Sequence, residues 1–236
     1  FGNPTFFFFF IANFDLSSSP SSSVISSGTG IGGSFARFTV VNDYLYTVDQ
    51  SNLKSFLISN PSDPQLKNTN VIGWGIETIF PYKDKLFVGS NTGMYIFDNS
   101  RPESPVLLST FEHARACDPV VVHGNTAYVT LRDGSQCTGF TNQLEIIDIT
   151  NVLQPKRIKT YPMSNPHGLS YNEGKIYLAE GEYGFRVLDV EDPNKVNELC
   201  HVKNIHSYDM ISLSKERLFM IGDDGFYQYN VSNPKQ

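Results

Sequence analysis

Apolar residues along this chain come in short runs of extended, β-branched and aromatic type, separated by clusters of Gly, Asn, Asp, Ser and Pro. No window of ten or more residues holds a helical period, so the pattern predicts strands throughout and excludes a helical solenoid. Five of the runs can be stacked: Leu53–Leu57, Met94–Asp98, Leu144–Asp148, Phe185–Asp189 and Phe226–Asn230, whose last residues are 41, 50, 41 and 41 apart. A second anchor, the aromatics Tyr46, Phe87, Tyr128, Tyr177 and Phe219, is spaced 41, 41, 49 and 42. Two independent anchors thus give one period. Both place a single insertion of about nine residues within Asp133 to Thr141.

Each unit reads as four short strands, in the second unit Ile76–Phe80, Lys85–Gly89, Met94–Asp98 and Val106–Phe111. Turn formers separate the first two strands (Asn42-Asp43, Lys83-Asp84, His123-Gly124-Asn125, Asn172-Glu173-Gly174) and the next two (Asn91-Thr92-Gly93, Glu182-Tyr183-Gly184, Asp223-Asp224-Gly225). Such residues tolerate the positive φ of tight hairpins. Pro61, Pro102, Pro193 and Pro234 recur four residues past the anchor, where loss of the N–H ends a strand. A four-stranded unit every 40–50 residues is the signature of a β-propeller blade. The fold class is therefore all-β, a propeller over residues 35–236 with five to six blades, a larger ring being an open alternative. Repeats begin near Phe35, Gly75, Ala116, Pro166 and His206, and the last stops after its third strand at Asn230. Residues 1–34 supply a strand at Phe6–Phe14, a Ser/Gly-rich connection and a second strand near Val24–Ser27 that can pair with the last blade and close the ring, which leaves the Phe6–Phe14 strand surplus or part of a sixth, incomplete blade. The chain begins at Phe1 rather than Met, which we read as a processed or partial chain.

The strand ending in Asp, followed by a proline turn, resembles the motif of the LVIVD-repeat proteins; Leu144–Asp148 and Phe185–Asp189 are the nearest copies, with Met94–Asp98 next. Leu57 and Asn230 depart from the Asp, so their turns are expected to be stabilised otherwise. Gly73-Trp74-Gly75-Ile76-Glu77, Cys117-Asp118-Pro119 and Asn165-Pro166-His167-Gly168 look like a subgroup of bacterial surface lipoproteins. That resemblance implies a propeller outside the cytoplasm, at the cell surface or outer membrane, tethered by a lipid anchor that lies outside this chain. It brings no established catalytic residues. It leaves the recurring Asp a structural part, a carboxylate that accepts backbone N–H bonds in the following turn.

Composition narrows the partners. Eighteen Lys and Arg against 24 Asp and Glu give a net charge of −6, and the basic residues are dispersed, which excludes the footprint of a nucleic-acid binder. No apolar stretch approaches the ~20 residues that span a bilayer. Gly-x-Ser-x-Gly, HExxH and CxxC are all missing, and Gly28–Gly33 is glycine-rich without a following helix.

Counting ten residues back from each anchor aromatic gives Ala36, Glu77, Asp118, His167 and Asp209, expected to start the innermost strands and ring the central channel. Four ionisable groups there admit a water-filled structural channel, a ligand-contacting rim or a divalent-cation site; no other cofactor is expected. The same face should carry Arg37, Trp74, His113, Arg115, His206 and Tyr208, the aromatic and Arg types that binding surfaces use, unless Trp74 packs between blades. Cys117 and Cys137, at the start and in the insertion of the third blade, are placed to bridge. Closing that loop of about twenty residues would contribute roughly 3 kcal/mol and suits an oxidising compartment. Cys200 reads as a buried, unpaired apolar residue. The functional expectation is a non-catalytic binding or scaffolding module with a protein partner in the cell envelope, a glycan being the second candidate. The alternative is a polysaccharide hydrolase or lyase working through Glu77, Asp118, His167 and Asp209.

Overall fold

The computed structural model describes residues 32–113, 119–134 and 141–233. They form five antiparallel sheets and no helix. Blade 1 comprises β1 (Phe38–Val41), β2 (Tyr44–Val48), β3 (Asn52–Leu57) and β4 (Gln65–Val71). Blade 2 comprises β5 (Ile76–Tyr82), β6 (Lys85–Ser90), β7 (Gly93–Asp98) and β8 (Val106–Glu112). Blade 3 comprises β9 (Val120–His123), β10 (Thr126–Leu131), β11 (Gln143–Asp148) and β12 (Lys156–Pro162). Blade 4 comprises β13 (Leu169–Asn172), β14 (Lys175–Ala179), β15 (Phe185–Asp189) and β16 (Asn197–Val202). Blade 5 has β17 (Asp209–Ser212), β18 (Arg217–Gly222) and β19 (Gly225–Asn230). Strand order within each sheet follows the chain, and each innermost strand contacts the next, from β1 through β5, β9 and β13 to β17. The described residues form a five-bladed propeller.

The hairpins form where the sequence allows left-handed backbone: Asn42, Lys83, Gly124, Glu173 and Gly174 between first and second strands all have positive φ. Burial between blades supplies the core. Leu86, Val88 and Phe97 of blade 2 pack on Tyr46, Val48 and Leu53 of blade 1, and the same positions recur at the next three junctions. The second strand of each middle blade is therefore apolar on both faces and almost wholly buried. Each such Leu, Ile or Phe contributes about 1.5–3 kcal/mol.

Two recurring devices are invisible in the repeat pattern. In each of blades 1 to 4 the register between third and fourth strands shifts at one equivalent place, Ser55/Phe56, Ile96/Phe97, Ile146/Ile147 and Val187/Leu188. This bulge bends the outer strand away from the blade plane. The turn after the third strand also docks on the preceding blade. Tyr46 Oη and Asn70 Nδ2 donate to Pro102 O and Pro105 O, Ser109 Oγ to Val152 O, and Tyr161 Oη to Asn194 O.

The anchor carboxylates take the structural part expected of them. Asp98, Asp148 and Asp189 each accept the backbone N–H two residues on, at 3.1, 2.8 and 3.1 Å. The expectation for Asn230 is corrected: its amide oxygen accepts Ser232 N–H at 3.0 Å, because an amide oxygen serves an Asx turn as a carboxylate does. Leu57 offers no such acceptor; the turn at Asn60, which accepts Ser62 N–H at 3.2 Å, is one that Asn151 and Asp192 also make three residues past the anchors of blades 3 and 4.

Candidate functional site

Loops from the fourth strand of one blade to the first of the next share a face with the hairpins between second and third strands. Gly181 in the β14–β15 hairpin bridges Ser207 in the loop before β17, and Asn91 N–H in the β6–β7 hairpin donates to Gly75 O. Of the five positions counted back from the aromatics, the four described ones do not open their strands alike. Ala36 and His167 precede their strands by two residues, Asp209 opens β17, and Glu77 occupies a β-bulge where the register jumps from Ile76 to Thr78. Asp118 and Arg115 lie outside the described residues, as do Cys117, Cys137, the two N-terminal strands and Pro234.

The structure brings His167, His206, Tyr208 and Asp209 together where blades 4 and 5 meet. The His167 ring lies 5.8 Å from Tyr208 and 6.5 Å from His206, and His206 lies 4.5 Å from Tyr208. Phe35, on the segment entering blade 1, meets His167 edge-on at 6.5 Å. Tyr208 Oη donates to the Asp223 carboxylate, which holds the phenol pKa up, and Asp223 also lies 3.7 Å from His206 Nε2. His167 is buried; desolvation first, then Arg132 and His206, lowers its pKa to about 4, so it is neutral at pH 7.

Asp209 is a clasp. Its carboxylate accepts Ser34 Oγ at 2.9 Å, Met210 N at 2.8 Å and Phe35 N at 3.4 Å. Ser34 Oγ in turn accepts Leu169 N at 2.8 Å, so one serine ties the entry to blade 1 onto blades 4 and 5. The close approach depends on glycine: a Cβ on Gly168 or Gly33 would stand 2.0 or 2.1 Å from an Asp209 oxygen. Desolvation raises the Asp209 pKa to about 6 despite these donors.

Arg37, Trp74 and Glu77 form a second group, at blades 1 and 2. Arg37 is exposed, and its Nη2 donates to Ile76 O at 2.9 Å, across the blade junction. Trp74 does not pack between blades. It is 79% exposed, presented by a loop whose Gly75 has φ +79° and leaves no room for a Cβ beside Asn91. Tyr183 and Tyr208 add exposed rings to the same face. Among the described residues no three His, Cys, Asp or Glu side chains converge closely enough to hold a metal ion.

The spacing argument missed one ionic cluster on this rim. Glu180 is fully buried at the end of β14, accepting Arg186 Nε at 2.5 Å and Ser164 N at 2.7 Å, while Arg186 Nη1 reaches Glu198 at 2.6 Å. A cleft of about 410 Å³ lies over it, lined by Ser164, Tyr183, Arg186, His201 and Lys203. Its sequence signal was a lone Glu directly after the apolar run Ile176–Ala179. A second cleft, about 570 Å³, lies on the opposite face beside His123 and Tyr171, whose rings stack on each other at 3.9 Å and so offer little open aromatic surface. Cys200 is a half-buried free thiol at the edge of the blade 4–5 core, its pKa raised by burial.

No helix among the described residues is long and apolar enough to cross a membrane. In comparisons with known proteins, the chain is similar in fold to the computationally designed Ika8 protein (12% identity over 84% of this chain and 58% of that one, TM-score 0.64). It is also similar to BamB from Moraxella catarrhalis (7%, 79% and 53%, TM-score 0.60) and a protein from Lactobacillus plantarum (13%, 80% and 68%, TM-score 0.57). The chain spans a little over half the length of the first two. At these identities the likeness concerns fold alone. No curated protein matches the chain. The LVIVD repeat model matches residues 32–70, the stretch holding blade 1, so the first blade of this propeller is an LVIVD repeat.

Proposed function

We infer that this propeller is a non-catalytic binding module whose loop-bearing face docks a protein partner at the bacterial cell surface or outer membrane. The observation that carries the reading is Trp74, a large ring held in solvent at 79% exposure by a glycine-flanked loop on a rigid blade edge. A solvated tryptophan is an unused anchor for a protein interface, and Arg37, Tyr183 and Tyr208 share its face. The polar groups at the blade 4–5 mouth are, by contrast, engaged with one another. Asp209 clasps Ser34 and Phe35, and Tyr208 bonds Asp223. The extracytoplasmic setting rests on the resemblance of the Trp74, Cys117 and His167 segments to surface lipoproteins.

The test is recovery of the protein from its native envelope after mild cross-linking, alongside Trp74→Ala. Recovery as a stoichiometric subunit, lost in Trp74→Ala with melting temperature unchanged, supports the reading. Recovery alone, with turnover of a polysaccharide by the purified chain, would reverse it in favour of an enzyme.

A further inference from the structure

The cleft over Glu180 on blade 4, about 410 Å³, falls in the range of roughly 300–1,000 Å³ that small-ligand sites occupy. Three segments wall it: the β14–β15 hairpin, the end of β16 with the loop after it, and the loop between β12 and β13. They are tied to one another. Glu180 N–H donates to Gly184 O at 2.7 Å and closes the hairpin, Gly181 bridges Ser207, and Ser207 Oγ donates to Gly184 O at 2.5 Å. His201 Nε2 donates to Tyr183 O at 2.8 Å and so fastens the hairpin to β16. The loop after β16 holds Asn204 at φ +61°, a left-handed conformation uncommon outside glycine. Walls constrained in this way leave little ordering cost for a ligand.

The floor is Arg186, and its charge is already matched. Nε and Nη1 donate to Glu180 and Glu198, and Nη2 donates to Ser164 Oγ at 3.1 Å. Those bonds use three of the five guanidinium N–H groups and leave two in a fixed plane. At the rim, Lys203 Nζ, the Glu182 carboxylate and Tyr183 Oη have no partner among the described residues. With Nε2 of His201 spent on Tyr183 O, Nδ1 of the neutral ring is an acceptor.

These groups select a ligand class. Arg186 and Lys203 stand against Glu180, Glu182 and Glu198, two positive charges against three negative, so a phosphate, sulfate or carboxylate is repelled. A neutral ligand rich in hydroxyls meets donors in Arg186, Lys203 and Asn204, and acceptors in Glu182 and His201. The 48% exposed Tyr183 ring adds an apolar platform. A pyranose has this mixed character, with hydroxyls at its edge that donate and accept and a C–H face that stacks on an aromatic ring. We propose that the blade 4 cleft is a glycan-binding site for a neutral pyranose unit, stacked on Tyr183 with its hydroxyls on Lys203 and Arg186. Trp74 is on a different blade, so this site holds or fails independently of the protein-docking reading.

An array of immobilised oligosaccharides, neutral hexose and N-acetylhexosamine types beside sialylated, uronate and sulfated ones, tests the 236-residue chain. Calorimetry with the free oligosaccharide of strongest response then measures the affinity. Tyr183→Ala and Lys203→Ala remove side chains that bond to nothing else among the described residues, so both variants should melt as wild type does. Each should weaken binding at least tenfold, while Trp74→Ala should bind unchanged. Silence across the array overturns the proposal, as does binding that either cleft substitution leaves intact. A response confined to the acidic sugars overturns it too, and so does binding lost in Trp74→Ala alone, since the sugar would then sit on the docking surface.

Discussion

His167 and Asp209 should make stability respond to pH with opposite signs, and single substitutions separate them. His167 has its pKa lowered from 6.5 to about 4 by burial, so between those values the unfolded chain takes up a proton that the folded one refuses. The stability it confers is complete above pH 6.5 and is lost as pH falls toward 4; a gap of about 2.5 units corresponds to about 3 kcal/mol. Asp209 has its pKa raised from 3.8 to about 6, so the folded chain takes up the proton first. Its contribution is complete below pH 3.8 and is lost as pH rises through 6, by about 2–3 kcal/mol after allowing for partial exposure. In the native protein the two nearly cancel across this window. His167→Gln should therefore gain about 3 kcal/mol relative to wild type on going from pH 7 to 4. Asp209→Asn should lose about 2–3 kcal/mol over the same range. Urea denaturation followed by circular dichroism at half-unit pH steps measures both differences. Parallel curves for wild type and both variants would refute the assigned protonation states and, with them, the view that Asp209 is a desolvated clasp.

Other outcomes follow from particular contacts. Arg186→Met should destabilise the fold by about 3–5 kcal/mol in thermal or chemical denaturation, because it strands the buried Glu180 carboxylate; Arg186→Met with Glu180→Met should recover much of it. Gly184→Ala should cost about 2 kcal/mol or more, since φ is +86° and a Cβ would stand 1.9 Å from Val202 O, whereas Gly124→Ala, with open space around it, should cost only the backbone strain of about 1–2 kcal/mol. Mass spectrometry under non-reducing conditions should find Cys117 linked to Cys137; two alkylatable thiols at those positions would rule the bridge out.

The repeat was legible because blade architecture is written in residues that have few substitutes. Aromatics such as Tyr46 and Phe87 fill the space between blades, and Asn42, Lys83 and Gly124 sit where hairpins require positive φ. Strand bounds read from those signals fall within two residues of the observed ones in blade 2. The site was legible only in part. Counting back from Phe87 assumes unbroken register, and the bulge at Glu77 breaks it, while His167 lies two residues ahead of β13 with its N–H still bonded to Ala179 O. Ser34 could not have been singled out, because its importance lies in a bond to a residue 175 positions away. Nor does the pattern of apolar residues reveal that Glu180 is paired, since its partner Arg186 occupies an ordinarily exposed position of the third strand.

The turns that latch blades 2, 3 and 4 to the blade before give the molecule a built-in delay during synthesis. Ser109 finds its acceptor only when Val152 has emerged, 43 residues later, and Tyr46 waits 56 residues for Pro102. A blade leaving the ribosome is thus unfinished until most of its successor has been translated, and the growing end always trails one unlatched sheet. Pauses in translation should accordingly be tolerated best just after a latch has closed, and worst between an anchor strand and the turn that follows it.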